Sequence, residues 1–160
     1  MDKKLLHEVL LQRLESVCHV ANAAAMVAYK AATDDENVAE NKYDTLGLEA
    51  SYLAQGQAQR VAECEADLAT YKQLVAESFS MERSISIGAV IKLLDEHDEE
   101  RYLYMGPSAG GVKFDFEAIE ITVITPSSPL GQALMGCRVD DEVSVDVAGK
   151  RQLFEIVALY

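Results

Sequence analysis

The sequence predicts an α+β protein: an N-terminal antiparallel helical hairpin followed by a small β-rich domain. Three observations carry that prediction. Apolar residues recur at helical spacing through the first part of the chain, with no Pro or Gly between Met1 and Glu40. From Ile85 onward the pattern changes to short apolar runs bounded by turn residues. The helical period ends near Phe79–Arg83, which divides the chain into 1–79, a coiled-coil hairpin, and 80–160, the β-rich domain.

In the first helix Leu6, Leu10, Leu14, Val17, Ala21, Ala24, Ala28 and Ala31 follow one another at steps of three or four, the spacing of a coiled-coil seam. Leu and Val dominate up to Val20 and Ala thereafter, so the two helices are expected to approach more closely beyond that point. A helix of roughly 30 residues is ~45 Å long. The polar stretch Thr33-Asp34-Asp35-Glu36-Asn37 then leads to a second helix at about Val38 to Glu77, with Gly47 and Gly56 inside it. So short a connection implies antiparallel helices. Thr33-x-x-Glu36 has the form of a capping box and Asn37-x-x-Glu40 resembles one, so these side chains suit the start of the second helix.

The second half reads as five strands and one short helix. The strands are Val90–Leu94, Arg101–Met105, Ile119–Ile124, Val143–Val147 and Leu153–Val157. The helix is Pro129–Leu134, with Ser128 as its cap, Pro129 at the first helical position and Gly136 as its stop. Gly106 to Gly111 reads as a turn.

Composition excludes several functions. Among 160 residues, 14 are basic and 27 acidic, a net charge of −13. That argues against independent nucleic-acid binding and against an anionic membrane as partner. Hydrophobic residues at 49% suffice for a core, and the absence of Trp makes it largely aliphatic. Cys18, Cys64 and Cys137 form no C-x-x-C pair and read as small, reduced core residues. The N-terminus lacks a signal-peptide pattern and no apolar run approaches the ~20 residues of a membrane span, so a soluble cytoplasmic protein is expected. Neither G-x-S-x-G nor H-E-x-x-H occurs, and His7, His19 and His97 stand isolated. The stretch from Gly106 to Lys113 lacks both the spacing of a P-loop and the Ser/Thr that would hold Mg²⁺. One acidic group remains: Asp34, Asp35, Glu36 and Glu40 all fall within seven residues at the hairpin tip. Mg²⁺ takes oxygen ligands, usually one or two carboxylates plus phosphates or waters. Such a tip would complete a metal site in another enzyme, since it cannot hold the ion tightly by itself.

With these elements in order, the chain resembles the bacterial Gre transcript-cleavage factors, the GreA/GreB family. Ser127-Ser128-Pro129-Leu130-Gly131-Gln132-Ala133-Leu134-Met135-Gly136 is similar to that family's Ser-Pro-hydrophobic-Gly-x-Ala-Leu-hydrophobic-Gly stretch. Val139-Asp140-Asp141-Glu142-Val143, Phe154-Glu155-Ile156 and Ile87-Gly88-Ala89-Val90-Ile91-Lys92-Leu93 follow the family order, as do Glu40-Asn41 and Gln55-Gly56 in the coil. The resemblance implies an FKBP-like C-terminal domain. It also implies docking at the secondary channel of RNA polymerase, through a surface that includes Ser128, Pro129, Leu130, Gly131 and Leu134. The coil tip, with Glu40, Asp35 and Glu36, would then share the polymerase's Mg²⁺ and stimulate the polymerase's own cleavage of backtracked RNA. The chain itself would be no enzyme. The family tip reads Asp-x-x-Glu-Asn, and aligning Glu40-Asn41 with its end puts Asn37 in the Asp position. The alternative is therefore a Gre-like regulator that binds polymerase but cleaves little or not at all. An FKBP-like fold does not by itself imply prolyl isomerisation, and the second half offers only Phe114, Phe116 and Phe154 as phenylalanines for an aromatic pocket.

Overall fold

The computed structural model describes residues 1–33, 45–75, 82–147 and 149–160. They form two compact units, Met1–Leu11 together with Thr70–Tyr160, and Gln12–Ala69.

Helix α1 spans Lys3–Ala32 and helix α2 Leu46–Gln73. The Asp2 carboxylate caps α1 by accepting from the backbone N–H of Lys4 at 3.0 Å and of Leu5 at 3.2 Å. At the other end the Thr33 hydroxyl donates to the Tyr29 carbonyl at 2.9 Å, which closes α1. The other half of the expected capping box, Glu36, lies outside the described residues. The described part of α2 starts at Leu46, where the Thr45 hydroxyl meets the Glu49 carboxylate at 3.1 Å. The expected start at Val38 lies outside the described residues.

Both helices carry a seam. On α1 the buried residues are Lys3, Leu6, Leu10, Leu14, Cys18, Ala21 and Ala28. On α2 the inward residues are Ala54, Gln57, Val61, Cys64, Leu68 and Tyr71, alternating steps of three and four. The α1 seam differs from the expected one at Cys18, which replaces Val17, and Ala24 and Ala31 are exposed. Val17 and Ala24 instead border an open groove of about 390 Å³, because the small side chains there leave it unfilled.

In the other unit six strands form one sheet: β1 Val90–Asp95, β2 Glu100–Met105, β3 Lys113–Phe116, β4 Ile119–Ile124, β5 Glu142–Val147 and β6 Lys150–Leu159. Their order is β3-β4-β2-β1-β6-β5. All neighbours are antiparallel except β2 and β4, which run parallel with Tyr104 opposite Val123. Five strands were expected; β3 is the addition.

The sheet buries both faces. One contributes Ile91, Leu93, Leu103, Met105, Phe154 and Ile156 to the main core, closed by Leu134 of helix α3, Pro129–Leu134. On the other face Tyr104 stacks obliquely on Tyr71, ring centroids 6.2 Å apart, and the Lys3 ammonium lies 5.4 Å from the Tyr104 ring. Lys3 also donates to the Gly88 carbonyl. The Tyr71 hydroxyl donates to the Ser108 carbonyl at 2.8 Å. Gly106 makes room for it, since a Cβ there would come within 1.9 Å of that hydroxyl oxygen. The bases of both helices are thus built into the β-rich unit.

Candidate functional site

The expected tip residues Asp35, Glu36 and Glu40, with Asp34, Asn37 and Asn41, lie outside the described residues. By chain order they fall between Ala32, the last residue of α1, and Leu46, the first of the described α2. The other expected site residues, Ser128 to Leu134, are described in full.

The stretch begins with a turn held by one hydroxyl. Ser128 Oγ donates to the Thr125 carbonyl at 2.8 Å and accepts from the Gly131 N–H at 3.1 Å. Pro129 occupies the first turn of α3, where its missing N–H costs no hydrogen bond. Gly131 is required by the same turn, because a Cβ would sit 1.9 Å from the Thr125 carbonyl oxygen. After Leu134 the chain leaves through Gly136 at φ +84°, in the left-handed region that suits glycine. The Gly136 N–H then donates to the Ile85 carbonyl at 3.0 Å, and the Ile85 N–H to the Cys137 carbonyl at 2.8 Å.

These contacts divide the five residues. Ser128, Gly131 and Leu134 shape the helix and seat it on the core. Pro129 is exposed and Leu130 half-buried, and beside them Gln132 and Met135 also reach the surface. Leu130 borders a groove of about 690 Å³ that runs over β2, β4 and β3. Leu103 and Ile124 line it too, together with Arg101, Glu100, Lys113 and Glu120. Lys113 and Glu120 pair at 2.7 Å, and Glu100 pairs with Lys92 at 2.6 Å while accepting from the Tyr102 hydroxyl at 3.1 Å. The Lys92 ammonium holds the Glu100 carboxyl below its usual pKa, and Glu100 in turn raises Lys92. The groove therefore presents apolar residues beside charges of both signs, a lining suited to a protein surface. Among the described residues Tyr102 is the only aromatic one lining it, which does not favour an aromatic isomerase pocket.

Among the described residues the remaining titratable groups converge on no reaction centre. The Asp95 carboxylate is held below its ordinary pKa by the backbone N–H groups of His97 and Glu99, at 2.9 and 3.0 Å, and caps the β1–β2 turn. Burial lowers the pKa of His7, which donates to the Tyr71 backbone. Among the described residues no group of three or more His, Cys, Asp or Glu is placed to hold a metal. No helix of the described residues is long and apolar enough to cross a membrane. Sequence reading missed the groove, because its lining comes from separate strands that only the parallel β2–β4 pairing brings together.

Residues 81–160 match the family model described as transcription elongation factor, GreA/GreB, C-terminal. A transcription elongation factor GreA of Agrobacterium fabrum is 32% identical over 130 residues, covering 78% of each chain. One from Rhodospirillum rubrum is 28% identical over 143 residues, covering 89% of this chain and 85% of the relative. The crystal structure of GreA factor homolog 1 (Gfh1) of Thermus thermophilus is 24% identical, covers 94% of each chain and superposes with a TM-score of 0.40.

Proposed function

This chain belongs to the GreA/GreB family of transcription elongation factors, and we propose that it binds RNA polymerase at the secondary channel and stimulates the polymerase's own cleavage of backtracked RNA. The observation that carries this reading is the family match over residues 81–160, which spans all six strands and α3. In this reading the β-rich unit docks through exposed Pro129, half-buried Leu130 and the groove beside them. The hairpin supplies reach, since the 30 residues of α1 correspond to ~45 Å at the α-helical rise.

The tip supplies chemistry. Asp35, Glu36 and Glu40 are oxygen donors of the kind Mg²⁺ accepts, and too few to enclose it, which fits an ion shared with the polymerase. When bound, that ion supplies an activated water and stabilises the displaced oxygen. The chain's own carboxylates act as no nucleophile; they place negative charge where the shared ion must be held, with Glu40 first and Asp35 and Glu36 beside it in sequence. A second reading is favoured by Asn37. An amide keeps the oxygen and loses the charge, which weakens the ion's hold and yields a regulator with little or no cleavage.

A transcript-cleavage assay on a stalled, backtracked elongation complex tests both. Glu40→Ala is expected to lower the rate at saturating factor at least tenfold, as loss of a group acting on transition-state charge does. Asn37→Asp is expected to raise it. Leu130→Asp is expected to raise the half-saturating concentration and leave the plateau unchanged. A native chain that binds and never stimulates cleavage supports the second reading. Equal rates for the active native chain and both tip variants would overturn the role of the tip.

A further inference from the structure

Cys18 and Cys64 face each other across the helical hairpin. Cys18 is 7% exposed, between Leu14 and Ala21 on the α1 seam. Cys64 is half-buried, between Val61 and Leu68 on the α2 seam. Both belong to the unit Gln12–Ala69. Both are free thiols, and Cys64 lies close enough to help push the Cys18 thiol up from its ordinary pKa, after burial. The groove beside them is a separate observation, because it brings Arg13, Val17, Val20, Ala21 and Ala24 of α1 alongside Gln57 and Arg60 of α2. Cys18 follows Val17 within that stretch of α1, and Cys64 lies one turn beyond Arg60 on α2. Nothing in docking or in tip chemistry uses either sulfur.

We propose that Cys18 and Cys64 form a reversible oxidation site, a disulfide that joins the two helices within the hairpin when a low-molecular-weight disulfide such as oxidised glutathione is the oxidant. Cys64, the more accessible of the two, gives its proton to solvent and attacks the oxidant. The oxidant's S–S bond breaks, one thiol leaves and a mixed disulfide remains on Cys64. Cys18 then gives its proton to solvent and attacks Cys64 Sγ, which forms the protein disulfide and expels the second thiol. The protein loses two electrons and two protons, and the oxidant takes them up as two thiols. Burial, then Cys64, and then the carboxylates of Glu65 and Asp67 keep Cys18 protonated. Cys137 serves as an internal control: it lies in the other unit, and its Sγ donates to the Ala133 carbonyl at 3.2 Å.

The full chain is incubated at graded ratios of reduced to oxidised glutathione, quenched with acid and mapped by non-reducing peptide mass spectrometry. The native chain should fall from three free thiols to one, with a single peptide linking 18 to 64 that a reductant releases. Cys137→Ser should give the same link. Cys64→Ser should abolish it, and this half-exposed position serves as the variant should Cys18→Ser fail to fold. Three persistent thiols, a glutathione adduct on Cys64 that never resolves, or a link that involves Cys137 would each overturn the proposal.

Discussion

Leu93 and Leu14 are both buried leucines, yet they sit in different kinds of structure. Leu93 lies in a sheet whose main core joins twelve buried residues from five strands, α3 and the segments beside them. Leu14 lies in the hairpin unit, where Leu14, Cys18, Ala21 and Ala28 are the buried residues among those described and all belong to α1. In the same unit Val20, Met26, Val27, Tyr29, Leu48, Tyr52 and Leu53 stand more than half exposed. A sheet whose strands must hold one another in register needs a core. A pair of helices needs only a seam, and its stability is correspondingly local.

Truncating the two leucines breaks the comparison most directly. Leu93→Ala should destabilise the β-rich unit by about 2–5 kcal/mol, the range for large-to-small changes in a core that cannot collapse. Leu14→Ala should fall at or below the lower end of that range, since two helices can close on a smaller residue. Hydrogen exchange resolves the effects by region: the first should expose the strands, and the second should leave them protected. Equal loss of strand protection in both variants would mean that the units are not independent.

A pH series sharpens the comparison at Lys3, the one buried charged residue among those described. Burial lowers its pKa from 10.5 to about 8. Between those values the unfolded chain holds more protons than the folded one, so stability should rise as pH climbs from about 8 toward 10.5. Tyr104 acts with the opposite sign, because burial raises its pKa from 10.0 to about 12, and stability should fall as pH climbs through that window. Chemical denaturation should therefore show a maximum near the crossover of the two windows. In Lys3→Met the rise should disappear and the fall remain.

The smallest effect should come from Gly56 in α2. A Cβ there meets nothing within 4 Å. Gly56→Ala should stabilise the hairpin by up to about 1 kcal/mol through helix propensity. Thermal melting of the helical signal measures it, and a decrease would show that the glycine has a role the helix does not explain.

Local signals made much of this legible beforehand. The extent of α1 and the Ser128-Pro129 start of α3 were readable because caps and seams act over a few residues. The seam residue Val17 was misplaced because it neighbours Cys18 around the helix, and only the partner helix decides which faces inward. Strand β3 escaped notice because it is four residues long and its turn into β4 uses Glu117 and Ala118, at φ +50° and +64°. Hairpin turns of that shape ordinarily announce themselves with Asn or Gly. For the site, the family-like stretch was legible, but the sequence could not separate Pro129 and Leu130, which reach the surface or the groove, from Ser128, Gly131 and Leu134, which hold the turn together.

The path of the chain has one more consequence. It leaves the β-rich unit after Leu11, runs through Gln12–Ala69 and re-enters the same unit at Thr70. The hairpin is therefore an insertion, with both entry and exit fixed in a foreign fold. Its length becomes a free parameter. Removing or adding one heptad on each helix keeps the seam in phase and changes the length by about 10 Å, with no residue of the sheet altered. Evolution or an engineer could thus adjust the inserted segment as a spacer and leave the groove beside α3 untouched.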